Sequence, residues 1–268
     1  MSRTDGMQRF HRWNGAANVQ DGRYAAIPFI FYSVKSVRIS LMKIYPLLFI
    51  VFSSLASADT QCMQNYFASR VGENLEYNVE IDGIRAKGSR TLSQSDSGQF
   101  TLVQSVSVLL ASLEEQSHFI VNDQGIVPVN YRFEQQGLGA RKTTIQFSGL
   151  TAEVNRKETL SKLELPKGFQ DPLTFILQLQ ASINCGDSFE ELKMPIVKSK
   201  GVSEVIFTKG DSSLVKSGEK QVVLETWLIV EGDKTEKLGL IPDLNNLLFS
   251  FEQQEGKKIN RLQLIDLP

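Results

Sequence analysis

The chain has 268 residues, 29 of them Lys or Arg and 30 Asp or Glu, which gives a net charge of −1. Nucleic-acid binding depends on clustered Lys and Arg that neutralise phosphates, so a chain without excess basic charge argues against nucleic acid as a partner. The length is sufficient for one large domain with a sizeable hydrophobic core.

The first element in chain order is a short apolar segment with a basic start. Lys43 precedes the apolar residues 44–52, and the segment closes on the small residues of Ala56-Ser57-Ala58. This order predicts a secretory signal peptide over residues 42–58, cleaved between Ala58 and Asp59. A membrane span takes roughly 20 apolar residues, so we expect no transmembrane span in the mature protein. An uncleaved signal anchor is the alternative interpretation.

The predicted cleavage divides the chain into three parts. Residues 1–41 are either an upstream extension assigned in error or a long n-region of the signal. We expect residues 59–268 to form a single β-rich domain in the periplasm of a Gram-negative envelope. Residues 1–58 hold seven Lys or Arg and two acidic residues, so residues 59–268 keep 22 basic and 28 acidic ones. The mature domain is therefore acidic.

Two cysteines, Cys62 and Cys185, are present in the chain. In an oxidising compartment such a pair is predicted to form a disulfide. The pair lacks the Cys-x-x-Cys spacing that lowers a thiol pKa in redox-active sites. We therefore expect a structural bridge that ties the start of the mature domain to a point late in the chain.

Alternation of apolar and polar residues dominates the mature domain and predicts strands. The alternating or strand-like segments are residues 75–81, 100–110, 127–133, 143–147, 150–154, 205–207, 222–230, 247–251 and 262–267. Between them lie turn sequences rich in Gly, Asp, Asn and Ser. Closely spaced strands of this kind predict a mainly β fold, either an antiparallel curved sheet or a partly open barrel.

One segment breaks this alternation and predicts an α-helix over about 171–184. Asp171 is a favourable N-cap, Pro172 suits the first helical position, and Gly186 can end the helix. The helix carries a wide apolar stripe. We expect it to be buried against one face of the sheet.

Four short motifs resemble a known family. They are VGENLEYNV with the following GIRAKG, at residues 71–88, then VPVNY at 127–131, DPL at 171–173 and IPDL at 241–244. Together they resemble the bacterial domain of unknown function 3108 over roughly residues 71–267, although Gly-Leu-Ile stands where that family has Trp-Leu before its Pro-Asp. The resemblance implies an exported, β-rich envelope protein and brings no established enzymatic activity with it.

Candidate catalytic residues are few. His118 is the only histidine after the signal, and it lies beside Ser117 without a Gly-x-Ser-x-Gly motif around any serine. The neighbouring acids Glu114 and Glu115 point to opposite sides of a strand, which favours a solvated surface over acid–base chemistry. One histidine and two bridged cysteines make no metal-ligand set. We expect no enzyme, no cofactor and no metal.

Five aromatic residues are candidates for an apolar pocket between the curved sheet and the helix: Tyr131, Phe133, Phe147, Phe175 and Trp227. The same residues could form an ordinary core, and the sequence leaves both interpretations open. The hypothesis it favours is a non-catalytic binding or carrier module for an apolar or glycan-type envelope ligand. The alternatives are a structural or assembly partner of another cell-envelope protein and a hydrolase.

Overall fold

The computed structural model describes residues 56–108, 110–122, 125–137, 139–232, 234–255 and 258–268. The predicted upstream segment 1–41 and residues 42–55 of the predicted signal peptide lie outside the described residues. Within the described residues there are two α-helices, α1 (Ala56–Arg70) and α2 (Thr174–Asn184). Neither is both long and apolar enough to span a membrane.

The strands, in chain order, are β1 (Asn74–Ile81), β2 (Ile84–Gln94), β3 (Phe100–Val108), β4 (Ala111–Asn122), β5 (Gly125–Gly137), β6 (Arg141–Ser148), β7 (Thr151–Arg156), β8 (Thr159–Glu164), β9 (Glu191–Lys198), β10 (Gly201–Ser217), β11 (Lys220–Glu231), β12 (Lys234–Ile241), β13 (Leu247–Glu255) and β14 (Lys258–Leu264). A short 3₁₀ helix, Pro242–Leu244, connects β12 to β13.

All of these strands belong to one sheet. Its order runs from β8 down to β1, continues to β14 and then runs down to β9, and every neighbouring pair is antiparallel. The edge strands β8 and β9 do not pair with each other, so the sheet is not closed into a barrel. Gln170, which follows β8, forms a β-bridge to β9. Its N–H donates to Pro195 O at 2.9 Å, and its carbonyl accepts from the Val197 N–H at 2.8 Å. The predicted antiparallel curved sheet is confirmed.

The sheet curves around α2, which is buried on nearly all sides. Asp171, just before α2, accepts a hydrogen bond from the Ser117 hydroxyl of β4. Gln178 accepts a hydrogen bond from the Ile126 N–H of β5 at 2.8 Å. The Phe175 ring lies 5.8 Å from that of Phe207 on β10. Contacts with strands from both halves of the sheet require the sheet to wrap the helix, and the side that faces α2 is called the inner face below.

The cap of α2 follows the sequence prediction. The Asp171 side chain accepts hydrogen bonds from the N–H groups of Leu173 and Thr174 at 2.8 and 2.9 Å. These bonds satisfy backbone donors that an unpaired helix start would leave buried. The helix itself begins at Thr174 and ends at Asn184, with Gly186 in the left-handed region just beyond it.

The sequence predicts one helix, and the structure adds α1. Met63, Tyr66 and Phe67 are its buried residues, and the Phe67 ring lies 5.5 Å from the rings of both Phe100 and Phe119. These contacts attach α1 to the inner face of β3 and β4.

The predicted disulfide joins the two helices. Cys62 on α1 and Cys185 at the end of α2 are bridged, with 5.7 Å between their Cα atoms. The predicted cleavage between Ala58 and Asp59 falls within the first turn of α1 and stays a prediction.

Candidate functional site

The five aromatic residues predicted to line an apolar pocket are all buried in the core: Tyr131, Phe133, Phe147, Phe175 and Trp227. They do not form one cluster of touching rings. Phe147 stacks on Phe169 at 5.1 Å, whereas Trp227 contacts Phe189 at 5.7 Å in the other half of the sheet. Their role as pocket residues stays a prediction. A row of mostly polar residues on the inner face includes Phe133 and lies next to Tyr131.

A row of mostly polar residues crosses the inner face of six consecutive strands. Strand register places one residue of each strand directly opposite the next, and we call this set the polar row: Arg90 (β2), Gln104 (β3), Glu115 (β4), Phe133 (β5), Thr143 (β6) and Arg156 (β7). Neighbouring strands lie about 4.8 Å apart, so the row spans roughly 24 Å of curved sheet. It is a line of polar side chains inside the domain, interrupted by Phe133.

Five of the six residues of the polar row are buried, and Arg156 at its end is half-buried. Arg90 is 6% exposed and Glu115 is 1% exposed. Each of these two side chains has a buried atom without a hydrogen-bond partner, Nη2 of Arg90 and Oε2 of Glu115. Unpartnered buried polar atoms are few in folded proteins and each costs about 1–3 kcal/mol. The polar row holds two such atoms.

The next row toward α2 joins the polar row to the helix start. Its inward residues are Leu92, Leu102, Ser117, Tyr131, Ile145 and Val154, again paired directly across β2 to β7. The Tyr131 hydroxyl donates to Oε1 of Glu115, and the Ser117 hydroxyl donates to Oδ2 of Asp171. A polar path therefore runs from the polar row to the cap of α2.

Burial changes the charge of this region. It raises the pKa of Glu115 well above its ordinary value, although the bond from Tyr131 opposes the shift. The raised pKa favours the protonated form of this carboxyl group. Burial also raises the pKa of Asp171 to about 6, against the opposing hydrogen bonds from Ser117, Thr174 and Leu173.

Arginines dominate the charge of the region. Arg141, two residues before Thr143 on β6, lies with its guanidinium 4.9 Å from the Phe133 ring centre. Burial lowers the pKa of Arg141, and the like charge of Arg156 lowers it further. Arg156 forms no ion pair with any residue that the structure describes. With two arginines, Arg90 and Arg156, and one glutamate, the polar row carries net positive charge within an otherwise acidic domain.

Sequence reasoning did not identify Glu115, Arg90 or Arg156 as site residues. The prediction that Glu114 and Glu115 form a solvated surface is correct for Glu114, which is exposed, and wrong for Glu115. The signal that could have found the row is the break in alternation on β4, where inward positions hold Glu and Ser.

The Ser117–His118 pair does not form a catalytic arrangement. The two are successive residues of β4, so their side chains point to opposite faces of the sheet. Ser117 faces inward to Asp171, and Nδ1 of His118 lies 2.8 Å from the Thr101 hydroxyl on the outer face.

A second buried polar cluster lies in the other half of the sheet. Lys198 pairs with Glu231, and Gln253 Nε2 donates to Oε1 of Glu236 at 2.5 Å. Burial raises the pKa of Glu236 to about 7, and burial lowers that of Lys198 to about 8. Because opposite charges face each other here, the cluster ties β9, β11, β12 and β13 together and leaves no net positive charge for a ligand.

Similarity to known proteins is found among solved structures. No protein-family model and no curated protein matches the chain. A beta-barrel-like protein of domain of unknown function DUF1849 from Brucella abortus is 13% identical, with 72% of this chain and 95% of that chain covered and a TM-score of 0.49. LprF from Mycobacterium bovis is 9% identical, with 78% and 91% covered and a TM-score of 0.20. Both scores lie below 0.5, so they carry no argument about function.

Proposed function

We propose that this protein is a non-catalytic binding or carrier module for an amphipathic envelope ligand, held on the inner face of the sheet at the polar row. The ligand would present an oxyanion, such as a phosphate or carboxylate group, beside an apolar part. One observation carries the proposal: buried, unpartnered polar atoms of Arg90 and Glu115 lie in one row that has net positive charge.

The arginines argue for an oxyanion. A guanidinium offers five N–H donors in a planar arrangement that suits carboxylate and phosphate oxygens. Arg156 has no ion-pair partner among the described residues, and Nη2 of Arg90 is buried without an acceptor. An anionic group would satisfy both guanidinium groups, whereas a cation would be repelled.

Burial raises the pKa of Glu115 and so favours its protonated carboxyl group, which argues for a hydroxyl beside the oxyanion. Its Oε1 already accepts from Tyr131, and its Oε2 is free of hydrogen bonds. When protonated, the group can donate to a ligand oxygen as well as accept. A headgroup that carries a phosphate and hydroxyls fits these atoms.

Apolar residues lie on the other side of the polar row, away from α2. Val106 on β3 is buried and stands directly opposite the partly buried Leu113 on β4. Both lie two residues beyond the polar row on the inner face. Together with Phe133 they provide an apolar contact for an acyl chain, so the oxyanion and the chain can be held side by side.

Three predictions from the sequence are part of this proposal: export to the periplasm, a non-catalytic role and the resemblance to the domain of unknown function 3108. Export to the periplasm is supported by the disulfide, because disulfides persist in oxidising compartments. A non-catalytic role is supported by the separation of Ser117 from His118. The resemblance to the domain of unknown function 3108 remains part of the proposal, since no family model matches the chain.

Titration with a short-chain phosphatidylglycerol, with inorganic phosphate and with an uncharged short-chain glyceride tests the proposal. We expect the anionic lipid to bind more tightly than either of the others, because it alone supplies both parts. Arg156→Gln should weaken lipid binding about tenfold, the effect of one lost charge-assisted hydrogen bond. Isothermal titration calorimetry measures each affinity.

Arg85→Gln is the matched control, because Arg85 is an exposed arginine on the outer face of β2. It removes the same charge without touching the polar row. Equal weakening by both variants would assign the effect to general electrostatics and contradict the proposal. Binding of the uncharged glyceride with the same affinity would show that the polar row does not select the ligand.

A further inference from the structure

An open groove lies outside the sheet interior, where α1, the end of α2 and the turn before β13 meet. Its volume is about 570 Å³, within the roughly 300–1,000 Å³ of small-molecule sites. The lining residues are Gln61, Cys62, Asn65, Tyr66, Ser69, Asn184 and Asn245. None of them carries a charge, and four are primary amides.

Covalent and hydrogen bonds hold the groove in shape. The Cys62–Cys185 disulfide joins the two helices that form its walls. The third wall is fixed to both helices, since the Tyr66 hydroxyl lies 3.5 Å from Asn245 O and Gln180 Nε2 donates to Asn246 O at 2.6 Å. Such a site needs little rearrangement when it binds a ligand, which favours affinity.

Asn245 and Asn246 have an unusual backbone conformation. Their φ angles are +55° and +54°, a left-handed conformation in two successive residues other than glycine. Asn tolerates this region better than most residues, but it is sparsely populated. The conformation places Asn245 at the groove, while Asn246 turns inward and donates to Oδ1 of Asn184 at 3.3 Å.

The groove offers hydrogen-bonding groups that the protein does not use. Gln61 Nε2 donates to Oδ1 of Asn65 at 2.9 Å, which leaves the Asn65 amide nitrogen as an exposed donor. The exposed side chain of Asn245 forms no hydrogen bond with the described residues. Each primary amide has an acceptor and two donors, the combination that matches a hydroxyl group as both donor and acceptor.

We propose that this groove binds a neutral, polyhydroxylated ligand of the oligosaccharide class. The uncharged amides and the exposed Ser69 hydroxyl complement sugar hydroxyls. The absence of a charged side chain from the lining gives no preference for an anionic ligand. The site is separate from the polar row, and the inference does not rest on the proposed inner-face ligand.

Titration with two neutral oligosaccharides, chitotetraose and maltotetraose, tests the inference by calorimetry and by NMR of the mature protein. We expect at least one of them to bind. The double variant Asn65→Ala with Asn245→Gly should weaken that binding about tenfold, as two ligand hydrogen bonds are lost. Glycine at position 245 keeps the left-handed backbone, so the groove retains its shape.

Asn155→Ala is the matched control, since Asn155 is an exposed amide on β7. It should leave oligosaccharide binding unchanged, and so should Arg156→Gln, which separates this site from the inner face. The inference is overturned if neither oligosaccharide binds, or if the double variant and the control weaken binding equally. Unchanged thermal unfolding of the double variant excludes misfolding as the cause of any loss.

Discussion

Asp171 is the buried carboxyl group on which the start of α2 depends. It accepts hydrogen bonds from the Leu173 and Thr174 N–H groups and from the Ser117 hydroxyl. Burial nevertheless raises its pKa from 3.8 to about 6. The folded state therefore holds a proton more tightly than the unfolded state, and this contribution to stability is present below about pH 4 and lost as the pH rises through 6. The loss amounts to ~3 kcal/mol.

Asp171→Asn should remove this pH dependence while it keeps the cap, because Asn caps helices about as well as Asp. We expect the free energy of unfolding to change less between pH 4 and pH 6.5 in the variant than in the wild type. Urea unfolding at several pH values measures the difference, and comparison of the two proteins cancels the contributions of other groups. Identical slopes for both proteins would contradict the assignment.

Asp171→Ala is the companion variant. It removes the side-chain oxygen Oδ1 that accepts from the Leu173 and Thr174 N–H groups, so it should lower the free energy of unfolding by ~1–2 kcal/mol or more at every pH. An Asn variant as unstable as the Ala variant would mean that the negative charge, rather than the cap geometry, stabilises α2.

The sequence predicts the cap formed by Asp171 but not the burial of Glu115, and the difference has a physical reason. A cap depends on residues within three positions of each other, which the sequence displays directly. The burial of Glu115 depends on Gln104 and Phe133, which strand pairing brings beside it from β3 and β5. Glu and Ser at inward positions break the alternation of β4, but this local pattern does not show which strands lie beside Glu115.

Gly125, at the start of β5, lies directly against the Gln178 side chain of α2. Its φ is +96°, and a Cβ added there would lie 2.6 Å from Oε1 of Gln178. That oxygen accepts the Ile126 N–H, and the amide nitrogen of Gln178 donates to Ser182 Oγ at 3.2 Å. The side chain cannot move aside without breaking these bonds.

Gly125→Ala should therefore lower the free energy of unfolding by ~2–4 kcal/mol, the sum of a left-handed alanine and an overpacked contact. Gly98→Ala is the control, because Gly98 has a similar φ of +82° and no atom within 4 Å of an added Cβ. It should cost only ~1 kcal/mol. Urea unfolding compares the two, and equal losses would show that α2 is not held at this point.

At the scale of elements, the sequence predicts those whose burial has a clear period. Strand β1 and helix α2 have such patterns. Helix α1 has only a weak one: its buried apolar residues Met63, Tyr66 and Phe67 have helical spacing, but the next buried position on that face is Arg70. Strand β8 has exposed positions almost throughout, so alternation could not reveal it.

At the scale of the molecule, one sheet encloses α2 and holds α1 against β3 and β4, and no strand separates into a second sheet within the described residues. The N-terminal strand β1 pairs with the C-terminal strand β14, so the two halves of the chain close on each other. The topology depends on pairs far apart in sequence, which is why the sequence predicts an antiparallel sheet but not its order. Unfolding of either half should expose the core of the other.

The Cys62–Cys185 disulfide restrains this arrangement across a sequence separation of 123 residues. A loop of that length loses much conformational entropy in the unfolded state when it is closed, which predicts a stabilisation of ~4–5 kcal/mol. We expect a reducing agent to lower the free energy of unfolding by up to this amount in urea titrations. The double variant Cys62→Ala with Cys185→Ala should match the reduced protein and should not respond to the reducing agent. A wild type that is indifferent to reduction would show that the helix contacts alone hold α1 in place.

If reduction also weakens oligosaccharide binding, the same bridge that stabilises the fold also maintains the groove, because its two walls are α1 and the end of α2.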